Sequence, residues 1–312
     1  MSHSHHEHEP SDPPQVVEVG DRLFAYVQPD GTWWVNNTGF LVGSDAVTAI
    51  DTCATERRTR RLLDAVKRVT PAPIRTLVNT HHHGDHTHGN FLVAQATVVA
   101  QQRCRELMAE AGVRPIEGVW EPVDWGELEL SLPTVTFDDH LTVWVDDLRV
   151  ELLHPGTPAH TTNDIVAWVP SQRVVYSGDL VFNGGTPFVL MGSVHGALDS
   201  VEWLGGLGAE AIVPGHGPVC DPSVLDGLAA YYRFVLDTAE AARAAGEPPL
   251  DAARNVDLGP FAELTDSERL VGNLHRAYAE LDGAARGAPI DLVAAIGDMI
   301  AYNGGRPLRC VA

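Results

Sequence analysis

Residues 79–89 read Asn-Thr-His-His-His-Gly-Asp-His-Thr-His-Gly, and five of the chain's fifteen histidines fall between positions 81 and 88. The string follows the apolar run Ile74–Val78, which predicts a strand, so it belongs on a loop at a sheet end, where ligands bind in open α/β sheets. Within it, His81, His83, Asp85 and His86 form H-x-H-x-D-H: three imidazoles and a carboxylate in six residues. Those donors suit zinc, and iron or manganese accept them as well. Two groups two residues apart on an extended loop can face one ion. Asp85 and His86, beyond the Gly84 turn, can face another. One short loop can therefore supply two ions but cannot close both coordination shells. His160 (PAHTTND), Asp179 (YSGDLVF) and His216 (PGHGP) each fall at a predicted strand-to-loop junction and are the candidates to complete them.

The flanking sequence supplies strands and helices in alternation. Short strands are expected over 16–51, with a hairpin from 40–43 to 47–50. Thr55 predicts a helix cap, and Leu62, Leu63, Val66 and Val69 mark one face of a helix over 56–69. A strand at 97–100 and a helix at 101–111 follow. The Pro- and Trp-rich stretch 113–140 is expected to be irregular. Strands return at 148–153, 165–169, 174–176 and 211–213, with a helix near 198–207. This is a layered α/β pattern with sheets inside. Beyond 221 the chain is expected to be helical. Asp221 is the expected cap of one helix, and Thr265-Asp266-Ser267-Glu268 matches a capping box for another. A Pro- and Gly-containing linker over 246–262 separates the two. Residues 1–15, with four histidines among acids and prolines, read as a disordered His-rich tail.

Composition narrows the partners. Asp and Glu number 42 against 21 Lys and Arg, a net charge of −21. Such a surface repels phosphate backbones and anionic lipid, so neither nucleic acid nor a membrane is an expected partner. No run approaches the roughly 18 apolar residues of a membrane span. The N-terminal residues lack the basic start and apolar stretch of a secretion signal. Cys53, Cys104, Cys220 and Cys310 are scattered, as befits a reducing compartment. The expected location is the cytoplasm.

H-x-H-x-D-H after a strand, then Ala-His-Thr at 159–161, Ser-Gly-Asp at 177–179 and Pro-Gly-His-Gly at 214–217, resembles the metallo-β-lactamase superfamily. The likeness runs over residues 16–220. It implies a four-layer αββα sandwich with a two-metal site at one edge of the sheets and, here, a helical C-terminal extension over 221–312. By motif, His81, His83 and His160 would hold the first ion, Asp85, His86 and His216 the second, and Asp179 would bridge them. Lactamases of the superfamily generally lack that bridging Asp, whereas its thioester and lactone hydrolases have it. Two zinc ions per chain, roughly 3.5–4 Å apart, would activate a water and polarise a carbonyl, with Asp85 as the catalytic carboxylate orienting the water. Such a site can hydrolyse a thioester or ester, or stabilise an enolate for intramolecular aldol closure. The segments AYVQPDGTWWVNN, DTCATERRTRRLL and SGDLVFNGGTPFVLMGSVHG are further similar to the metallo-β-lactamase-fold cyclase/thioesterases of type II aromatic polyketide pathways. That likeness implies an acyl-carrier-bound polyketide as substrate.

Other residues carry weaker expectations. Arg57, Arg58 and Arg61 belong to a basic run that either docks an acidic carrier protein or is merely a solvated helix face. Asp51, at a strand end, resembles the acid that orients a ligand histidine from behind. His195 falls in a Gly-rich stretch read as a pocket lip hinged on its glycines. Trp33 and Trp34 are candidates for an aromatic wall, and His154 for a substrate contact. His82 and His88 are expected at the surface or in hydrogen bonds, and His275 within a helix. The competing readings are a generic small-molecule thioester, lactone or lactam hydrolase, and a non-catalytic metal-binding interaction protein. A homodimer is compatible with all of them.

Overall fold

The computed structural model describes residues 13–312. The expected hairpin forms: β3 (Thr38–Val42) and β4 (Val47–Ile50) pair antiparallel, and the Gly43 N–H donates to the Ala46 carbonyl across the turn. With β1 (Gln15–Gly20), β2 (Leu23–Val27), β5 (Ile74–Val78), β6 (Thr97–Gln101) and β7 (Val135–Phe137) they make a seven-stranded sheet in chain order. From β4 to β7 the strands run parallel. Their crossovers carry α1 (Glu56–Val69), the single turn α2 (Gly84–Thr87) and α3 (Gln102–Ala111). Thr55 caps α1 as expected, its hydroxyl accepting from the Arg58 N–H at 3.2 Å.

The second sheet is built from β8 (His140–Val145), β9 (Leu148–Leu153), β10 (Val166–Val169), β11 (Val174–Phe182) and β12 (Ala211–His216), in the order β12-β11-β10-β9-β8. Only β11 and β12 are parallel, joined by α4 (Val194–Leu207). Side chains alternate along a strand, and β10 shows what that achieves. Ala167 and Val169 point between the sheets, against Leu41, Ile50 and Val78 of the first. Val166 and Trp168 point outward, against the helices. On the far side, Leu62, Ala65 and Val66 of α1 cover Phe40 and Val47. The result is a four-layer αββα sandwich.

The last third is helical: α5 (Val224–Ala244), α6 (Pro249–Asn255), α7 (Arg269–Leu281) and α8 (Leu292–Tyr302). Leu228 and Val235 of α5 and Leu270 and Leu274 of α7 share one apolar cluster with α4 and the outer face of β10 and β11. The extension thus closes the fourth layer. No helix among the described residues is long and apolar enough to cross a membrane.

Several expectations need correction. The stretch 113–140 is not wholly irregular, since β7 lies inside it. The linker 246–262 contains α6 and a 3₁₀ turn at Gly259–Phe261. Asp221 does not cap α5; Ser223 occupies the cap position, and the Asp221 carboxylate accepts from the Ser223 N–H at 2.8 Å in a turn ahead of the helix. Nor does Thr265 cap α7, which starts at Arg269. The would-be box is consumed by tertiary bonds, since Thr265 and Gly185 form a bridge and Asp266 is drawn to Thr32. β11 runs to Phe182, so Asp179 sits within a strand rather than at its end. The expectation for 1–15 falls outside the described residues except for 13–15, of which Gln15 opens β1.

Candidate metal centre

The site grows from the ends of β4, β5 and β12, the interior of β11 and the loop between β9 and β10. Asp51, just past β4, adopts a left-handed conformation (φ 61°), which costs a non-glycine residue about 1–3 kcal/mol unless its surroundings enforce it. Here they do. The Asp51 N–H donates to the Val78 carbonyl at 2.8 Å. Its Oδ1 accepts from the Thr80 N–H at 2.8 Å and its Oδ2 from the Thr80 hydroxyl at 2.7 Å. The same Oδ2 takes His86 Nδ1–H at 2.8 Å. One carboxylate therefore ties two strand ends together and aims a histidine.

The other histidines are aimed in the same way. Because the Thr80 hydroxyl donates to Asp51, its oxygen accepts from His81 Nδ1–H, at 3.1 Å. His160 Nδ1–H donates to the Phe188 carbonyl, and His216 Nδ1–H to the Gly31 carbonyl at 3.1 Å. Four imidazoles thus have Nδ1 committed outward, leaving the Nε2 lone pairs to point inward. His83 is reversed: its Nε2 faces the Met191 sulfur at 3.4 Å and its Nδ1 faces His160 Nε2 at 2.8 Å.

The inward atoms form two groups. His81, His83, His160 and Asp179 make one; Asp85, His86, His216 and Asp179 make the other, and in each the ligand-type atoms lie within 4.8 Å of one another. Asp179 Oδ2 is 3.3 Å from both His160 Nε2 and His216 Nε2, so the carboxylate belongs to both groups. His216 Nε2 is also 3.3 Å from Asp85 Oδ2. Buried polar atoms are almost always hydrogen-bonded, yet His81 Nε2, His86 Nε2 and Asp179 Oδ1 make no hydrogen bond of good geometry, although the last two lie 3.0 Å apart. Three orphaned donor-type atoms converging on one spot fit divalent cations, with N and O ligands in numbers that suit zinc. Among the carboxylates, Asp85 retains 12% side-chain exposure against 4% for Asp179. Asp85 therefore marks the open side of the cluster.

Electrostatics separate the groups. Burial, then the neighbouring imidazoles, push His81 and His83 well below the usual histidine range, so they are neutral. Burial also opposes charge on His216, but Asp179 and Asp85 outweigh it and raise the pKa to about 9. His86 is raised for the same reason. Asp179 and Asp85 are held below the usual carboxylate range, burial being overcome by His216 and His86. Without a cation the second group thus neutralises its carboxylates with protons, the species a metal displaces.

Glycines make room for this. A Cβ on Gly215 would lie 1.9 Å from Asp179 Oδ1, and one on Gly178 would lie 2.7 Å from Thr80. Phe182 stacks on the His216 ring, 5.1 Å between centroids and 5° between planes.

The remaining sequence candidates fall around the cluster. Trp33 Nε1–H donates to Glu268 at 2.6 Å, and the Arg269 guanidinium lies 4.1 Å over its ring. Trp34 packs on His88, Trp120 and Trp125 beside the 84–88 turn. His154 belongs to neither ligand group; its Nδ1–H donates to the Asp164 carbonyl at 2.7 Å. His82 and His88 are buried, so the surface reading of both is corrected; His82 bonds Asn163 at 3.0 Å. His275 pairs with Asp298 across to α8. The reading of His195 as part of a glycine-hinged lip is also corrected. It occupies the first turn of α4, half exposed, with Nδ1–H donating to Glu280 at 2.5 Å. Gly192 and Gly196 are there for close packing, because a Cβ on either would strike the Ala159 or Pro158 carbonyl. Arg58 cannot belong to an exposed docking face. It is buried, donating to Gln28 and to the Val311 carbonyl. Arg57 and Arg61 do face solvent, in a groove they share with Glu56, Arg60, Asp64 and Asp124.

Sequence reasoning missed Phe182, Gly31 and Phe188, the first because it reads as ordinary strand and the others because they act through backbone carbonyls.

The model of the Metallo-beta-lactamase superfamily matches residues 31–216, more than half of the chain. The chain is 25% identical over 221 residues to "Metallo-beta-lactamase type 2" of Bacteroides fragilis, covering 66% of this chain and 80% of that one. It is 29% identical over 162 residues to "Beta-lactamase-like protein 2 homolog" of Caenorhabditis elegans, covering 52% of this chain and 48% of that one. It is 28% identical over 181 residues to "Hydroxyacylglutathione hydrolase" of Rhodospirillum rubrum, covering 56% and 62%. The chain thus spans about half to four fifths of the length of these relatives. Among solved structures, a metallo-beta-lactamase from Pontibacter korlensis superposes with a TM-score of 0.59 at 21% identity, over 71% of this chain and 99% of that one. That last likeness is one of fold.

Proposed function

The chain belongs to the Metallo-beta-lactamase superfamily, and we propose that it is a two-zinc hydrolase of acyl thioesters, with an acyl-carrier-bound aromatic polyketide as the preferred substrate and aldol ring closure as a companion reaction. The observation that carries the two-metal reading is the orientation of the imidazoles: four outward nitrogens spent on acceptors, and inward atoms left without partners around a shared Asp179. Two bound zinc ions supply Lewis-acid activation of a carbonyl and a hydroxide at neutral pH.

The protein's own residues supply the rest. His81, His83 and His160 would hold one ion, His86, His216 and Asp85 the other, with Asp179 within reach of both. The partly open Asp85 orients the attacking water and accepts its proton at a carboxylate oxygen. In hydrolysis the water oxygen bonds to the acyl carbon, the carbon–sulfur bond breaks, and the thiol leaves with a proton. In ring closure a base removes a proton α to one carbonyl, the new carbanion forms a bond to the carbon of a second carbonyl in the same molecule, the C=O π bond breaks, and the resulting alkoxide takes the proton back from the base. The aromatic wall of Trp34, Trp120 and Trp125 beside the 84–88 turn suits flat rings, which stack on indoles. Exposed Arg57 and Arg61 give an acidic carrier a place to dock, and the four free thiols fit a cytoplasmic location.

A second reading, hydrolysis of a small lactam or lactone, is favoured by the Bacteroides relative named as a lactamase. The test is to purify the chain with zinc, measure metal content, and assay a carrier-linked polyketide thioester, a small acyl thioester, a lactone and a β-lactam side by side. The proposal expects two zinc ions per chain, fastest turnover of the carrier-linked thioester, and loss of activity with chelator. Fastest turnover of the β-lactam or lactone would replace it with the second reading. Fewer than about one ion per chain would remove the two-zinc mechanism, and two bound ions with no turnover of any substrate would leave the metal-binding interaction protein.

A further inference from the structure

α7 presents an unusual buried face. Arg269, Asn273 and Arg276 are spaced four and three residues apart, so they share one side of the helix, and each is 0–1% exposed. Burying a guanidinium costs several kcal/mol, so a helix that only covers a sheet is better served by apolar side chains. All three instead make several polar contacts, with Arg269 Nε alone left without a partner, and most of what they hold is backbone. Asn273 Oδ1 accepts from the Val189 N–H at 2.9 Å, and its Nδ2 donates to the Pro187 carbonyl at 2.8 Å. Those residues flank Phe188, whose carbonyl orients His160. Arg276 donates twice to the Leu190 carbonyl, at 2.9 and 2.8 Å. Arg269 donates to the Thr186 carbonyl at 3.0 Å and lies 4.1 Å over Trp33 and 5.3 Å over Phe182. Phe182 is the ring stacked on His216, and the 31–33 loop carries the Gly31 carbonyl that orients it. Asp266, paired with Arg269 at 3.0 Å, anchors that loop through the Thr32 hydroxyl at 2.6 Å.

We propose that the buried polar face of α7 divides the labour of aiming the two metal positions: Asn273 is a positioning residue for His160, and Arg269 for His216. The C-terminal extension then acts on the site without contributing a ligand. The inference rests on the two-zinc reading above.

The test uses single-position backgrounds. His216→Ala leaves only the first position intact, and His83→Ala only the second. Metal-free protein of each is titrated with zinc against a chromophoric chelator, with cobalt absorption as a check on geometry. Substitution behind a metal-ligating histidine typically costs 10–100-fold in affinity. Asn273→Leu is expected to lose roughly that factor in the His216→Ala background and little in the His83→Ala background. Arg269→Met is expected to give the opposite pattern. Thermal unfolding of the metal-free proteins checks the fold. If these variants fail to fold, Asn273→Ser and Arg269→Lys cut fewer of the same contacts and are expected to show the same crossed pattern, smaller. Equal losses in both backgrounds would mean general loosening and would overturn the proposal, as would no loss in either. If the unsubstituted chain binds fewer than two ions, the two-zinc reading falls and this inference with it.

Discussion

Asp51→Asn isolates the physics of the centre in a single atom. The substitution keeps size and shape but turns one carboxylate oxygen into an NH₂ group. The buried Thr80 N–H needs an acceptor and fixes the amide oxygen at the position of Oδ1. The NH₂ then replaces Oδ2, which in the native chain accepts from both the Thr80 hydroxyl and His86 Nδ1–H. The hydroxyl can rotate. The imidazole, protonated on both nitrogens when no metal is bound, can relieve the clash of two donors only by losing the Nδ1 proton and keeping the one on Nε2, the nitrogen that would bind metal. Metal binding must then reverse that tautomer against an unpaired buried donor, which costs about 1–3 kcal/mol. That corresponds to about 10–100-fold in affinity at the position served by His86. Metal-free wild type and variant would be titrated with zinc against a chromophoric chelator. One equivalent should weaken by that factor while the other stays within about 3-fold, whereas Thr80→Val, which takes the acceptor from His81 Nδ1–H, should weaken the equivalent served by His81. Unchanged affinity of both equivalents in a folded Asp51→Asn protein would refute the claim that Asp51 sets the tautomer of His86.

Three other outcomes follow from the same geometry. Gly215→Ala places a Cβ 1.9 Å from Asp179 Oδ1; it should cost about 1–3 kcal/mol of stability and weaken both ions together, measured by unfolding and by metal analysis. Burial lowers the His82 pKa from 6.5 to about 3. The unfolded chain therefore takes up that proton first, and stability of the metal-free protein should fall as pH drops below about 6.5 toward 3. His82→Gln should flatten that slope in denaturant titrations at pH 7, 6 and 5; an unaltered slope would assign it to other groups. Reversing Arg57 and Arg61 to Glu, with buried Arg58 left intact, should slow a carrier-linked thioester about 10-fold at low salt and spare a small thioester. Equal slowing of both substrates would remove the docking surface.

The candidate ligand cluster was legible because coordination chemistry restricts it to a few side-chain types, and because H-x-H-x-D-H places four of them on one loop. His160, Asp179 and His216 stood out because each follows or closes an apolar run, but only His216 ends a strand: β11 continues past Asp179 to Phe182, and His160 lies on the loop between β9 and β10. Apolar runs likewise marked strands, but which of Val166–Val169 face the other sheet and which face the helices was decided by the fold, since all four are apolar and buried. Local signals failed where a side chain had a distant partner. The capping box at 265–268 is a sound local pattern, yet Thr265 is bridged to Gly185 and the Glu268 carboxylate accepts from Trp33, 235 residues away. His195 was placed on a loop because glycines are read as flexible, whereas here they let two backbones touch. Arg58 was counted with its neighbours until the fold buried it against Gln28 and the Val311 carbonyl. The amino-acid sequence alone thus determined which atoms can bind metal and which layers bury apolar surface, because both depend on residue type and short spacing. The tertiary structure alone decided which way each imidazole points, because that depends on acceptors such as the Gly31 and Phe188 carbonyls, which every residue carries and only the folded chain brings within reach.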